Sequence, residues 1–132
     1  SARVDWNFSG DRPVYLQLLE RMELAIASGY YEPGQRLPSV RELAQLCRVN
    51  PNTAQRALSA LEEEGLVSTQ RTSGKFVTAD PGLIERTRRQ FAQTAADAYL
   101  RQMEGLGYGR DEAAALLAQK AAEKTDMQEG TP

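Results

Sequence analysis

The run Ser39-Val40-Arg41-Glu42-Leu43-Ala44-Gln45-Leu46-Cys47, then Arg48-Val49-Asn50, then Pro51-Asn52-Thr53-Ala54-Gln55-Arg56-Ala57-Leu58-Ser59-Ala60-Leu61 decides the fold. Ser39 ahead of Val40, with Glu42 three positions on, is the signature of a helix N-cap and capping box. Val40, Leu43, Ala44 and Cys47 then make a short apolar stripe at three- and four-residue steps. Asn50-Pro51 repeats the start signal, a polar cap followed by proline at the first helical position, where no amide proton is needed. The helix that follows places Ala54, Ala57, Leu58 and Leu61 on one face and runs to about Glu64, where Gly65 closes it. Two helices of about nine and fourteen residues, meeting across a turn of three to four, have the spacing of a helix-turn-helix.

Outward from this pair, the neighbouring segments complete a larger unit. Upstream, Tyr15, Leu18, Leu19, Met22 and Ile26 recur as an amphipathic helix that starts at Pro13 and ends at Gly29. Before it, Val4 to Phe8 alternates apolar and polar residues as a strand or an ordered arm, with Trp6 and Phe8 covering the first helix. Downstream, Leu66 to Thr69 and Phe76 to Thr78 are short strand-like runs around Arg71-Thr72-Ser73-Gly74-Lys75, a hairpin in the position of a wing. Asp80-Pro81-Gly82 marks a boundary. A helical pattern resumes from Leu83 and is stopped by Gly105, Gly107 and Gly109, and a last helix spans about Arg110 to Lys124 before a polar, frayed tail from Thr125 to Pro132. The expected fold is α+β: an N-terminal winged helix-turn-helix over residues 1–80, followed by a short two-helix C-terminal dimerisation region over 81–132.

The distribution of charge points to a partner. The formal net charge of −2 argues against nucleic acid, because neutralising phosphate takes lysine and arginine. Between Gln35 and Ser59, however, the charged residues are Arg36, Arg41, Arg48 and Arg56 against Glu42 alone, while acids gather at Glu62-Glu63-Glu64. With the Ala54/Leu58 stripe turned to the core, Asn52, Thr53, Gln55, Arg56 and Ser59 face outward on the third helix. Gln55 suits an adenine edge and Arg56 a guanine edge in the major groove. Arg36 and Arg41 stand where the second helix crosses the phosphate backbone, and Arg71 and Lys75 bracket the hairpin tip. Arg48 lies in the turn, with contact to DNA and simple solvation equally open to it.

The residues from Gly34-Gln35-Arg36-Leu37-Pro38-Ser39-Val40-Arg41-Glu42-Leu43-Ala44, through Val49-Asn50-Pro51-Asn52-Thr53 and Arg56-Ala57-Leu58, to Glu64-Gly65-Leu66-Val67 and Gly74-Lys75-Phe76-Val77 carry a family pattern. It resembles the GntR-family winged-helix domain over roughly residues 4 to 79. Pro13-Val14-Tyr15-Leu16-Gln17 and the Val-Asn-Pro-Asn-Thr segment resemble the YtrA-type subfamily in particular. The resemblance implies a dimeric repressor of a pseudo-palindromic double-stranded operator, often that of its own operon and neighbouring transporter genes. It places base or phosphate contacts on Arg36, Arg41, Asn52, Thr53, Gln55, Arg56 and the wing. One departure stands out: family wings carry glycine-x-glycine at the tip, and Thr72 occupies the first glycine position.

In the C-terminal region Phe91, Ala95, Tyr99, Leu106, Leu116 and Leu117 are apolar positions that two helices alone cannot bury, so a second copy of the chain is expected to cover them. Arg86, Arg88 and Arg89 fit a solvated helix face. A single cysteine, Cys47, excludes an internal disulfide, and its place on the core stripe marks a packed thiol. The absence of histidine removes the commonest metal ligand and general base, and no nucleophile, base or metal cluster can be assembled, so no enzyme and no cofactor are expected. No effector identity follows from the sequence. No apolar run approaches the roughly 18 residues of a membrane span, and no signal-peptide pattern opens the chain, so the expected location is cytoplasmic. The rival reading is a winged-helix protein-interaction module without DNA binding, which would have no need of a polar, acid-free Arg41, Asn52, Gln55 and Arg56.

Overall fold

The computed structural model describes residues 6–129, with side chains described as far as residue 123. Its elements are α1 (Val14–Ala27), α2 (Val40–Cys47), α3 (Pro51–Glu63), β1 (Val67–Gln70), β2 (Gly74–Val77), α4 (Pro81–Gly105) and α5 (Arg110–Glu129). The chain forms two compact units that divide between Phe91 and Ala92. The sequence-based division at residue 80 falls at the head of α4, and the first unit continues through that helix's opening turns, where Leu83 and Ile84 pack on the core.

In the first unit α1, α2 and α3 enclose an apolar core whose largest fully buried members are Leu18, Met22, Ile26, Leu43, Leu58, Leu61 and Leu66. Each such side chain contributes on the order of 1.5–3 kcal/mol by leaving water. Cys47 is buried in this core, and burial pushes its thiol up from the ordinary range. Trp6 and Phe8 pack against its edge from an extended arm, Trp6 meeting Tyr30 edge-on at 6.4 Å. The described part of that arm, from Trp6, is not a strand; Val4 and Asp5 lie outside the described residues. Gln17 holds the arm in place. Its buried amide donates to the carbonyl oxygens of Ser9 and Arg12, both at 2.8 Å, and its Oε1 accepts from the Ser9 amide at 2.7 Å.

The helix boundaries follow the chemistry at their ends. Ser39 Oγ accepts from the Glu42 amide at 3.1 Å and the Glu42 carboxylate accepts from the Ser39 amide at 3.0 Å, which closes the capping box. The Ser39 amide holds the Glu42 carboxyl below its ordinary range. At the end of α2 the Val49 amide donates to the Ala44 carbonyl at 3.0 Å and the Arg48 amide to that of Gln45 at 3.4 Å, the paired bonds of a Schellman motif. That motif needs a left-handed residue, and Arg48 takes it with φ 55, where other helices of this chain use glycine. Gly65, with φ 82, does the same service after α3.

The wing is an antiparallel pair, with Val67 opposite Val77 and Gln70 opposite Gly74. On its other side β2 pairs with the segment before α2: the Leu37 amide donates to Lys75 O at 2.8 Å, that of Val77 to Gln35 O at 2.9 Å, and Arg36 bridges Phe76. The hairpin loop is therefore 71–73, and Lys75 belongs to a strand and not to the tip.

In the second unit the remainder of α4 packs on α5. Met103 and Ala113 are buried, and Tyr99 Oη donates to the Ala113 carbonyl at 2.7 Å. α5 continues to Glu129, past the expected end at Lys124. The expected frayed tail is thus helical over 125–129, since neither glycine nor proline interrupts it before Gly130; residues 130–132 lie outside the described residues.

Candidate nucleic-acid interface

One polar surface runs across α2, α3 and the wing. On α3, Asn52, Gln55 and Arg56 are exposed and Thr53 and Ser59 half-buried, opposite the buried Ala54, Ala57, Leu58 and Leu61. The Asn50 side chain accepts from the Asn52 amide at 2.8 Å and caps the helix, and the first turn holds no acid, so its remaining amide dipoles face outward unopposed. Gln55 donates to Ser59 Oγ at 3.0 Å, which fixes the direction of its amide along the helix. Arg56 lies on the other flank, its Cζ 3.5 Å from the centre of the Tyr15 ring.

Arg41 is exposed on the first turn of α2. Arg36 is set by the backbone pairing with β2, and its guanidinium lies over the wing: a Cβ at Gly74 would meet Arg36 Nε at 3.1 Å. Gly74 also has φ 105, a backbone conformation that favours glycine, and a Cβ there would press on the Arg36 side chain. Arg71 and Thr72 are exposed in the hairpin loop.

These positions gather Arg36, Arg41, Asn52, Thr53, Gln55, Arg56 and Arg71 as polar groups on the winged helix. Lys75 departs from the set. Its Nζ donates to Glu62 at 3.1 Å and Thr69 Oγ1 at 2.9 Å, and its side chain is only 16% exposed. The alternation of the strand turns it toward the end of α3, and there it neutralises the one half-buried acid nearest the recognition face. Sequence reasoning missed Tyr15, which stood in the α1 stripe as a core residue. Ring and guanidinium meet from distant parts of the chain, and no local pattern signals such a pair.

Residues 14–77 match the family described as "Bacterial regulatory proteins, gntR family". The chain is 32% identical over 109 residues to the HTH-type transcriptional regulator YhcF of Bacillus subtilis, covering 83% of this chain and 90% of that one. The chain belongs to the GntR family. Within it the chain is YtrA-like, being 34% identical over 93 residues to the HTH-type transcriptional repressor YtrA of Bacillus subtilis, over 66% of this chain and 72% of that protein. A GntR family transcriptional regulator from Listeria monocytogenes has the same fold, with a TM-score of 0.78 and 35% identity over 85% of this chain and 98% of that one. This GntR member is accordingly a DNA-binding transcription regulator built on a winged helix-turn-helix, and its relatives are regulators and not enzymes. Among the described residues no cluster of three or more acidic, cysteine or histidine side chains could hold a metal ion, and no helix is long and apolar enough to cross a membrane.

Of the positions expected to pair two copies of this GntR chain, Leu106 is 73% exposed, Leu117 53% exposed, and Ala95 exposed. Tyr99, Leu116 and Phe91 are half-buried, Tyr99 through its bond to Ala113. Arg86, Arg88 and Arg89 are exposed, with Arg88 paired to Glu85 at 2.9 Å.

Proposed function

We propose that this chain is a cytoplasmic repressor that binds a pseudo-palindromic operator as a homodimer, in the manner its resemblance to the YtrA type suggests, and that a transporter operon is among its targets. The observation that carries the reading is the acid-free polar face of α3, with Gln55 held by Ser59 and Arg56 by Tyr15, flanked by Arg41 and by the Arg36–Gly74 wing. On this reading α3 enters the major groove with Asn52, Gln55 and Arg56 at base edges, while Arg36, Arg41 and Arg71 meet phosphates. Thr53 approaches the backbone from the first turn. Lys75 holds the wing to α3 and touches DNA at most at its margin.

The C-terminal helices supply the dimer. Leu106 and Leu117 are large apolar side chains left in solvent, and a second copy that covers them, with Phe91, Ala95, Tyr99 and Leu116 near the seam, brings two recognition helices to half-sites about one helical turn apart. Repression follows from occupancy, and YtrA of Bacillus subtilis carries the name of a repressor.

Selection of the purified protein on a randomised duplex library, at two salt concentrations, tests the reading. Enrichment of a two-fold symmetric site is the expected result. Weak, strongly salt-dependent binding without enrichment would favour the protein-interaction module instead.

A further inference from the structure

We propose that Tyr15 is a positioning residue for base readout: it fixes the Arg56 guanidinium in a flat stack that presents its donors to one base of the operator. This rests on the DNA-binding reading above. The geometry is specific. With Cζ 3.5 Å from the ring centre, an edge-on guanidinium would drive its N–H hydrogens into the ring, so the group lies parallel to it. A parallel stack uses the π face of the cation and leaves all five N–H donors pointing outward in the guanidinium plane. Those are the donors that a bidentate contact to guanine O6 and N7 requires.

Without the ring, Arg56 would be an exposed arginine on a helix surface, free to sample many rotamers. The ring belongs to the first turns of α1, an element anchored by the buried Leu18 and Met22 and by Gln17, so the platform is rigid where the arginine is not. Gln55 is set by Ser59 on the opposite flank of α3. The two base-reading side chains thus have separate supports, and Tyr15 acts on one of them only. Lysine at position 56 could not reproduce the arrangement, because an ammonium has no plane to stack.

The test compares wild type, Tyr15→Leu, Tyr15→Phe, Arg56→Ala and the Tyr15→Leu/Arg56→Ala double variant on the operator selected by the wild-type protein. Tyr15→Leu is expected to bind about two- to five-fold more weakly, the range for an exposed cation–π contact. Its preference should relax at the same base that Arg56→Ala relaxes, with the salt slope unchanged. Tyr15→Phe keeps the ring face and should bind like wild type. In the Arg56→Ala background Tyr15→Leu should have no further effect. A measurement on the wild-type complex needs no variant: the Arg56 δ-methylene protons, next to the guanidinium that stands over the ring, should remain upfield of those of the other arginines when operator is bound.

Unchanged or tighter binding by Tyr15→Leu, an equal loss in both Arg56 backgrounds, or loss of the upfield shift on binding overturns the proposal. Each of these presupposes a wild-type protein that selects a site. Failure of the wild type to select any site overturns the proposed function itself, and the Tyr15 assignment with it.

Discussion

Replacing Lys75 with methionine and, separately, Arg71 with methionine distinguishes the two uses to which wing cations are put. Methionine keeps the aliphatic stem and removes the charge. Lys75 is held 3.1 Å from Glu62 and 2.9 Å from Thr69 Oγ1 with its side chain largely covered, so reaching a phosphate means breaking both contacts. Arg71 stands exposed in the loop between the strands. Each phosphate neutralised contributes about 0.9 to the slope of log affinity against log salt. Arg71→Met should therefore flatten that slope by about 0.9, so that an approximately fourfold rise in salt weakens it about 3.5-fold less than wild type. Lys75→Met should leave the slope where it was. Its effect should fall on stability: a partly buried ion pair contributes about 1 kcal/mol, which lowers the melting temperature of a unit of this size by about 4–8 °C. Binding titrations at several salt concentrations and thermal melts measure both. A Lys75→Met protein with an unchanged melting temperature and a slope reduced like that of Arg71→Met would refute the placement of this lysine beneath the wing.

Arg48→Gly should stabilise the protein: removing the Cβ from a left-handed residue relieves about 1–2 kcal/mol, and the extra freedom of glycine in the unfolded chain takes back about 0.5–1. Denaturant melts should show a net gain of up to about 1.5 kcal/mol, and a loss would mean that the turn is not strained. Burial first, then the hydrogen bond and charge of Glu64, raise the Glu23 carboxyl from its ordinary 4.5 to about 8. A raised carboxyl favours folding below its unfolded value and loses that contribution as pH climbs through the folded one, so wild type should weaken between about pH 5 and 9 while Glu23→Gln holds level. Parallel urea titrations across that range check it, and identical profiles would contradict it. Leu117→Asp should weaken self-association at least about tenfold by asking a carboxylate to enter the proposed apolar seam, with the winged helix still folded. Sedimentation equilibrium reads this directly, and an unaltered dimer would move the seam elsewhere.

The helix-turn-helix was legible because its signals are local. Ser39 with Glu42, and Asn50 with Pro51, lie within one turn of the backbone they organise, and the structure closes both caps as those residues require. Gly65 and Gly107 likewise announce their reversals, whereas Arg48 takes the same conformation against its own preference and leaves no mark in the sequence. Face and partner were harder. The sequence has Arg71 and Lys75 bracket the hairpin tip, but pairing from Gln70 to Gly74 puts Lys75 inside β2, and a strand position so close to a turn changes face with a shift of a single residue. The Tyr15–Arg56 stack, the Glu23–Glu64 pair and the bridge from Arg36 to Phe76 all join residues far apart in the chain. Such contacts depend on how helices and wing come together, and periodicity along one helix carries no information about them.

The pairing of residues 34–37 with β2 also sets an order of events in the making of the protein. A chain that leaves the ribosome N-terminus first presents the 34–37 backbone well before residues 75–77 exist to pair with it. Three helices, two of which carry their own side-chain caps, can begin to dock in the interval, and the wing, whose Val67 and Val77 complete the core, then closes onto an edge already in place. Until it does, the amide of Leu37 and the carbonyl of Gln35 form a short, unpaired strand edge. Two newly made chains meeting at that stage have a strand edge through which to join, and wing closure removes it.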